Sequence, residues 1–295
     1  MTAALYKRTR IAPTPSGYLH LGNVLSFAVT VALTRNNDVK VLLRIDDLDR
    51  ARVNKLYIQD IFDTLNFLGI PWDEGPRDAK DFEDNYSQLH RMDLYIEALE
   101  QLADQKFVFA CICSRRQVSG SGNSDSCPCA ELNIPLATEN SSWRLMTMDH
   151  DPIVVKDYND QVTKVFLPAE MHNFVVKKKD GFPAYQLTSV IDDLFYDVDL
   201  IVRGEDLWPS TLAQHQLAAS LRKNTFNDIS FYHHPLLTEP SGKKLSKSEG
   251  ATSIKYLRES GLKPVQVYNL IASMLGVKEN VSNWEKLAQL IIPGK

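Results

Sequence analysis

His20-Leu21-Gly22-Asn23 near the start of the chain and Lys244-Leu245-Ser246-Lys247-Ser248 near its end are both segments suited to a nucleoside triphosphate. The first follows a turn rich in proline and glycine, Pro13-Thr14-Pro15-Ser16-Gly17. A helix that starts after such a turn offers free N–H groups and a positive dipole end to phosphate. His20 would donate to phosphate oxygens or to charge developing at the α-phosphorus. Gly22 would let a base or ribose lie against the backbone. Taken alone, a histidine here is more often a helix cap than a ligand. The second segment carries lysines at 243, 244 and 247, which alone read as a solvated basic loop. If both segments close over one ATP, the implied chemistry is adenylation of a carboxylate. That step needs no protein nucleophile, because the carboxylate attacks the α-phosphorus and catalysis is positioning plus charge stabilisation. A third cluster is separate: Cys111, Cys113, Cys127 and Cys129 lie within nineteen residues. Four thiolates suit a closed, structural tetrahedral zinc site, and four buried free thiols are the alternative.

These residues need a scaffold. The chain has 295 residues, 44% apolar and 24% charged, as in globular proteins. Clustered cysteines argue against a secreted disulfide framework. No membrane-length apolar run and no signal-peptide core are present, so a cytoplasmic protein with no membrane partner is expected. The formal net charge of −4 argues against indiscriminate nucleic-acid binding and leaves room for a local basic surface.

Periodicity gives a strand at 7–12, then a helix with Leu21, Val24, Leu25, Ala28, Val31 and Ala32 on one face. A buried strand follows at 39–45. Val53, Tyr57, Ile61, Leu65 and Leu68 mark a second helix ending at Gly69. Leu89, Met92, Ile96, Leu99 and Ala103 mark a third. The alternation implies parallel strands with right-handed crossovers. From Phe107 the pattern turns β-rich, with strands at 107–113, 163–167 and 174–178, and a turn at Asp180-Gly181. The α/β pattern resumes near Tyr185, with a strand at 200–203 and a helix near 211–222; helices follow Ser248. The expected fold class is α/β: a Rossmann-like doubly wound parallel sheet, an inserted α+β zinc-bearing module and a small C-terminal helical bundle. The expected boundaries are 1–106 and 184–240 for the two halves of the catalytic domain, 107–183 for the insertion and 241–295 for the lysine loop and helical subdomain.

The run from Arg10 to Asn23 resembles the first signature of class I aminoacyl-tRNA synthetases, in their glutamyl and glutaminyl branch. Arg44-Ile45-Asp46-Asp47-Leu48-Asp49 resembles the next segment of that branch, and the likeness continues through 185–193, 202–207 and 234–248. Lys244 to Ser248 is similar to the KMSKS loop, with Leu245 in place of methionine. The resemblance implies catalytic roles for His20, Lys244 and Lys247. Lys247 would lead in stabilising charge on the β- and γ-phosphates as pyrophosphate leaves. It also implies ATP contacts from Pro13, Gly17, His20, Gly22, Asn23, Leu245, Ser246 and Lys247, with magnesium carried on ATP.

For the amino acid, the resemblance assigns Arg10 and Tyr185 to the side-chain carboxylate of glutamate and Arg203 to its α-carboxylate. Asp46, with Ala12 and Thr14, would hold the α-ammonium. Arginine suits bidentate carboxylate recognition, and strand C-terminal ends are where open α/β sheets bind ligands. Two positions depart from the bacterial glutamyl pattern: Asp46 stands where glutamate is usual, and Ser189 stands where discriminating enzymes carry asparagine.

The cysteine cluster is similar to the zinc-bearing acceptor-end module of some glutamyl enzymes. Arg115 and Arg116 beside it would touch RNA phosphate or form a solvated face. About fifty residues follow Ser248, whereas full-length members continue into a large anticodon-binding domain. The chain therefore resembles the truncated branch of the family that activates glutamate without tRNA and transfers it to queuosine in tRNA(Asp). ATP, L-glutamate and queuosine-containing tRNA(Asp) are the implied partners, and a monomer is expected. The competing readings are a compact synthetase charging the tRNA 3′ end with glutamate or glutamine, a small-molecule nucleotidyltransferase, and an inactive RNA-binding paralogue.

Overall fold

The computed structural model describes residues 6–34, 38–114, 127–147, 151–237 and 253–292. Its contacts divide the chain into two units. The first comprises residues 1–90, 199–206 and 232–295; the second comprises 91–198 and 207–231.

In the first unit, strands β1 (Arg8–Ile11) and β2 (Lys40–Leu43) pair in parallel, and β8 (Leu200–Gly204) runs parallel to β1 on its other side. Strand β9 (Ser230–His234), whose last three residues belong to this unit, lies next to β8. Helix α1 (Leu21–Thr34) connects β1 to β2. Its buried residues run almost all round it, because one side faces the sheet and the other faces the C-terminal helices. Helix α2 (Lys55–Leu68) is capped by Asn54, whose side chain accepts from Leu56 N–H. It ends at Gly69, which adopts φ 64° and returns its N–H to the Asn66 and Leu65 carbonyls. That left-handed turn is the one expected of a glycine at this position.

Three helices close this unit: α6 (Ile254–Glu259), α7 (Pro264–Met274) and α8 (Trp284–Ile291). The last two join to the end of α2 through specific bonds. Tyr268 Oη donates to the Leu68 carbonyl at 2.7 Å, and Trp284 Nε1 to the Gly69 carbonyl at 3.0 Å. Carbonyls that a helix end leaves open are thereby satisfied.

In the second unit, β3 (Val108–Cys111), β4 (Ser142–Leu145) and β7 (Val175–Lys177) form an antiparallel sheet. Strands β5 (Ile153–Asp157) and β6 (Val162–Val165) form a hairpin, and β5 pairs in parallel with Ser230 and Phe231 of β9. Helices α3 (Met92–Asp104), α4 (Tyr185–Phe195) and α5 (Trp208–Ser220) complete it.

The α/β class with a Rossmann-like, mainly parallel sheet is the one expected. Three local expectations differ. The stripe proposed for α3 is rotated: Tyr95, Ala98, Leu99 and Leu102 are buried, while Leu89 and Ile96 are exposed. The cause is a polar anchor that hydrophobic periodicity does not report. Asp192 is fully buried and accepts from Arg91 at 2.8 and 3.1 Å and from Tyr95 Oη at 2.6 Å. Strand β3 stops at Cys111, so Cys113 lies beyond it. Strands β4 and β5 were not anticipated. No helix among the described residues is long and apolar enough to cross a membrane.

Candidate active site and metal centre

The first unit gathers most of the expected ligand residues at the C-terminal ends of β1, β2 and β8. Arg10 is buried on β1, and its Nη1 donates to the Val202 carbonyl on β8 at 3.3 Å. Arg203 is buried near the end of β8. The segments leaving β1 and β2 are tied together: Arg44 N–H donates to the Ile11 carbonyl at 2.9 Å and Asp46 N–H to the Pro13 carbonyl at 3.0 Å. Pro13 is buried, Ala12 partly buried and Thr14 exposed.

His20 sits immediately before α1, where it forms a reciprocal cap. Gly22 N–H donates to His20 Nδ1 at 3.1 Å, and His20 N–H donates to Asn23 Oδ1 at 3.0 Å. A capping box satisfies two orphan donors in this way, here with an imidazole in place of a hydroxyl. Because Nδ1 accepts, the neutral ring carries its proton on Nε2. The ring crowds Gly22. A Cβ at 22 would meet His20 Cε1 at 3.0 Å and Nδ1 at 3.1 Å. Gly17 differs, since its φ is not in the left-handed region and a Cβ there would meet nothing within 4 Å. The two prolines make the turn, and among the described residues nothing crowds Gly17.

The histidine turn is bonded to the chain that follows the lysine segment. Ser253 forms an antiparallel bridge with His20, and Ile254 N–H donates to the Leu19 carbonyl at 2.7 Å. Buried Asp60 accepts from Leu19 N–H at 3.4 Å and from Arg258 Nη2 at 3.2 Å. Burial raises the Asp60 pKa, and Arg258 opposes that rise. Lys244, Leu245, Ser246 and Lys247 lie outside the described residues, as do Arg115 and Arg116.

Four residues of this unit were given no role by sequence reasoning. Arg44 grips Asp46 with two bonds, Nε to Oδ1 at 2.7 Å and Nη2 to Oδ2 at 3.1 Å, both side chains being buried. The Arg-x-Asp spacing on an extended segment places both on one face and could have signalled the pair. Asp47 accepts from Ser87 Oγ at 2.7 Å, Gln88 N–H at 2.8 Å and Arg50 Nη1 at 2.8 Å, fixing the residue after Asp46. His233 and His234 end β9. Burial, then the charge of Arg203, pulls the His233 pKa down to about 3, so its ring is neutral. His234 is also depressed by burial, and its Nδ1 donates to the Pro235 carbonyl at 2.9 Å.

Tyr185 and Ser189 belong to the second unit. Tyr185 opens α4 and is exposed, whereas Ser189 is buried one turn on. The Ser189 hydroxyl has no hydrogen-bond partner among the described residues.

The four cysteines converge in the second unit. Their sulfurs all lie within 4.8 Å of one another, with Cys111–Cys127 at 3.3 Å, Cys113–Cys129 at 3.4 Å and Cys113–Cys127 at 3.9 Å. These separations are far longer than a disulfide. Sulfurs bound to one zinc ion at ~2.3 Å stand ~3.8 Å apart. The cluster could therefore hold a metal ion. Burial alone would raise the Cys111 thiol, but hydrogen bonds from Cys127 and Arg144 outweigh it and bring it to about 7. Burial pushes Cys127 up to about 12.

Comparison with known proteins now decides the family. The description "tRNA synthetases class I (E and Q), catalytic domain" matches residues 7–128 and 137–288. The chain belongs to that family. The match covers the histidine turn and Cys111, Cys113 and Cys127, and it leaves out Cys129. A protein of Synechococcus sp. (strain CC9605) named glutamyl-Q tRNA(Asp) synthetase is 36% identical over 277 residues, covering 93% of this chain and 85% of that protein. A glutamate–tRNA ligase of Dehalococcoides mccartyi (strain ATCC BAA-2266 / KCTC 15142 / 195) is 32% identical over 280 residues, covering 91% of this chain and 56% of that protein. The chain thus spans little more than half the length of such ligases. The crystal structure of a glutamate–tRNA synthetase from Elizabethkingia anophelis superposes with a TM-score of 0.72 at 24% identity, over 96% of this chain and 65% of that one. That likeness speaks to the class I synthetase fold.

Proposed function

We propose that this chain activates glutamate with ATP and transfers it to the queuosine base of tRNA(Asp). The single observation that supports the ATP site is the pairing of Ser253, five residues after the lysine segment, with His20 in the histidine turn. In this reading, the glutamate carboxylate oxygen attacks the α-phosphorus, the bond to the bridging oxygen breaks and pyrophosphate leaves. His20 Nε2–H, its tautomer set by the Gly22 amide, donates to the phosphate oxygens during that step. Lys244 and Lys247 stabilise the departing pyrophosphate. Magnesium carried on ATP would add charge neutralisation when bound. The uncrowded Gly17 suits a close-lying nucleotide, with Pro13, Asn23, Leu245 and Ser246 completing its contacts.

Arg10 and Tyr185 take the substrate's side-chain carboxylate and Arg203 its α-carboxylate. Asp46 takes the α-ammonium with Ala12 and Thr14, using lone pairs that Arg44 does not occupy. Ser189, buried with an open hydroxyl, supplies a neutral contact where the family often has an amide. The four cysteines hold zinc, which folds the module that meets RNA.

Queuosine as acceptor is supported by the Synechococcus relative, matched over most of its own length. A second reading, charging of the tRNA 3′ end, is favoured by the relatives named glutamate–tRNA ligase. Radiolabelled glutamate, ATP and tRNA with or without queuosine separate the two. The proposal expects label only on queuosine-containing tRNA, surviving periodate treatment of the terminal ribose when the queuosine diol is protected. Equal labelling of both RNAs, or of neither, contradicts it.

A further inference from the structure

Four thiolates around one divalent cation carry a net charge of two negative units. Cys111, Cys127 and Cys129 are buried, and a buried charge is costly unless something offsets it. The antiparallel register sets Phe109 opposite Arg144 and Cys111 opposite Ser142. Strand alternation therefore puts Arg144 on the same face as the Cys111 sulfur, beside the apolar cluster that contains Phe109, Cys111, Cys127 and Cys129. Arg144 thus stands one diagonal step from Cys111 across the β3–β4 pair, within reach of a long side chain. It is held in place from the far side, because Nη1 donates to the Asn173 carbonyl at 2.8 Å. Asn173 is fixed in turn by reciprocal bonds with Thr147. Two further tethers reach the same segment: Ser142 Oγ to the Cys111 carbonyl at 3.2 Å and Lys179 Nζ to the Ile112 carbonyl at 2.8 Å.

We propose that Arg144 is a positioning and charge-offsetting partner of the four-cysteine centre, acting through Cys111 to set how tightly the metal is held. This rests on the zinc reading above. Outer partners of metal ligands commonly govern affinity to this extent, with losses of ~10–100-fold on mutation. Lys179 is exposed, so its charge is screened and it makes a suitable comparison.

The test is competitive zinc titration of the full chain against a chromophoric chelator, with thermal unfolding of the metal-free proteins read alongside. Arg144→Gln and Arg144→Met should both weaken zinc binding ~10–100-fold, the second keeping the packing of the side-chain stem. Arg144→Lys should recover most of that loss, and Lys179→Gln should change affinity less than ~3-fold. Wild-type affinity in either folded neutral variant overturns the proposal, as does Arg144→Lys binding no better than the neutral variants. A wild-type chain that takes up no zinc removes the metal reading and this inference together.

Discussion

His20 does two jobs with two nitrogens. Its Nδ1 caps α1 and the ring proton sits on Nε2, so the helix-cap reading and the ligand reading of this histidine are compatible. His20→Asn should separate them. Asparagine is a good N-cap, so thermal stability should stay near wild type, whereas ATP–pyrophosphate exchange should fall ~10²–10³-fold on loss of one donor to developing charge. His20→Ala should lose the same activity and also ~1 kcal/mol of stability. Equal exchange rates for wild type and His20→Asn would contradict the role given to Nε2. His233 offers a second test. Its pKa is about 3 in the folded chain against an ordinary 6.5, so below 6.5 the unfolded chain binds a proton that the folded chain refuses. The stability it contributes is present above pH 6.5 and is lost as pH falls toward 3. Denaturant unfolding of His233→Gln should show a shallower loss across that window, and a parallel pH profile would refute it.

Buried polar anchors fix the elements as much as apolar stripes do. Arg91, Tyr95 and Asp192 join the start of α3 to α4, and their apolar neighbours follow from that join. Asp192→Asn leaves a buried guanidinium without its carboxylate and should cost ~3–5 kcal/mol in chemical denaturation. The double change Arg91→Met, Asp192→Leu should cost clearly less, because no unpaired charge remains. A double variant as unstable as Asp192→Asn would mean that packing, and not charge, is the source. This anchor also explains a limit of the sequence. Periodicity located β1, α1, α2 and its glycine cap, because their apolar residues and turn chemistry agree. It rotated the face of α3, where a buried ion pair decides. It passed over β4, Ser142 to Leu145, in which Arg144 occupies an inward position that an apolar residue would normally mark.

The candidate site shows the same division across the whole molecule. Short signatures named Arg10, His20, Gly22, Asn23, Asp46 and Arg203 as candidates, and clustering in sequence foretold the convergence of the four cysteine sulfurs. Their supports were not legible. Ser87 and Gln88 on Asp47, and Arg144 set across the β3–β4 pair from Cys111, are relations between segments, which no local spacing records. The family is secure from the match over residues 7–128 and 137–288. The reaction is the claim that remains to be measured, and amino-acid-dependent ATP–pyrophosphate exchange without RNA reaches it most directly. With glutamate, glutamine and aspartate tested in parallel, glutamate should support exchange at least ~10-fold above either analogue, the discrimination expected of one charge-assisted carboxylate contact. No exchange with glutamate, or equal exchange with all three, would contradict the account.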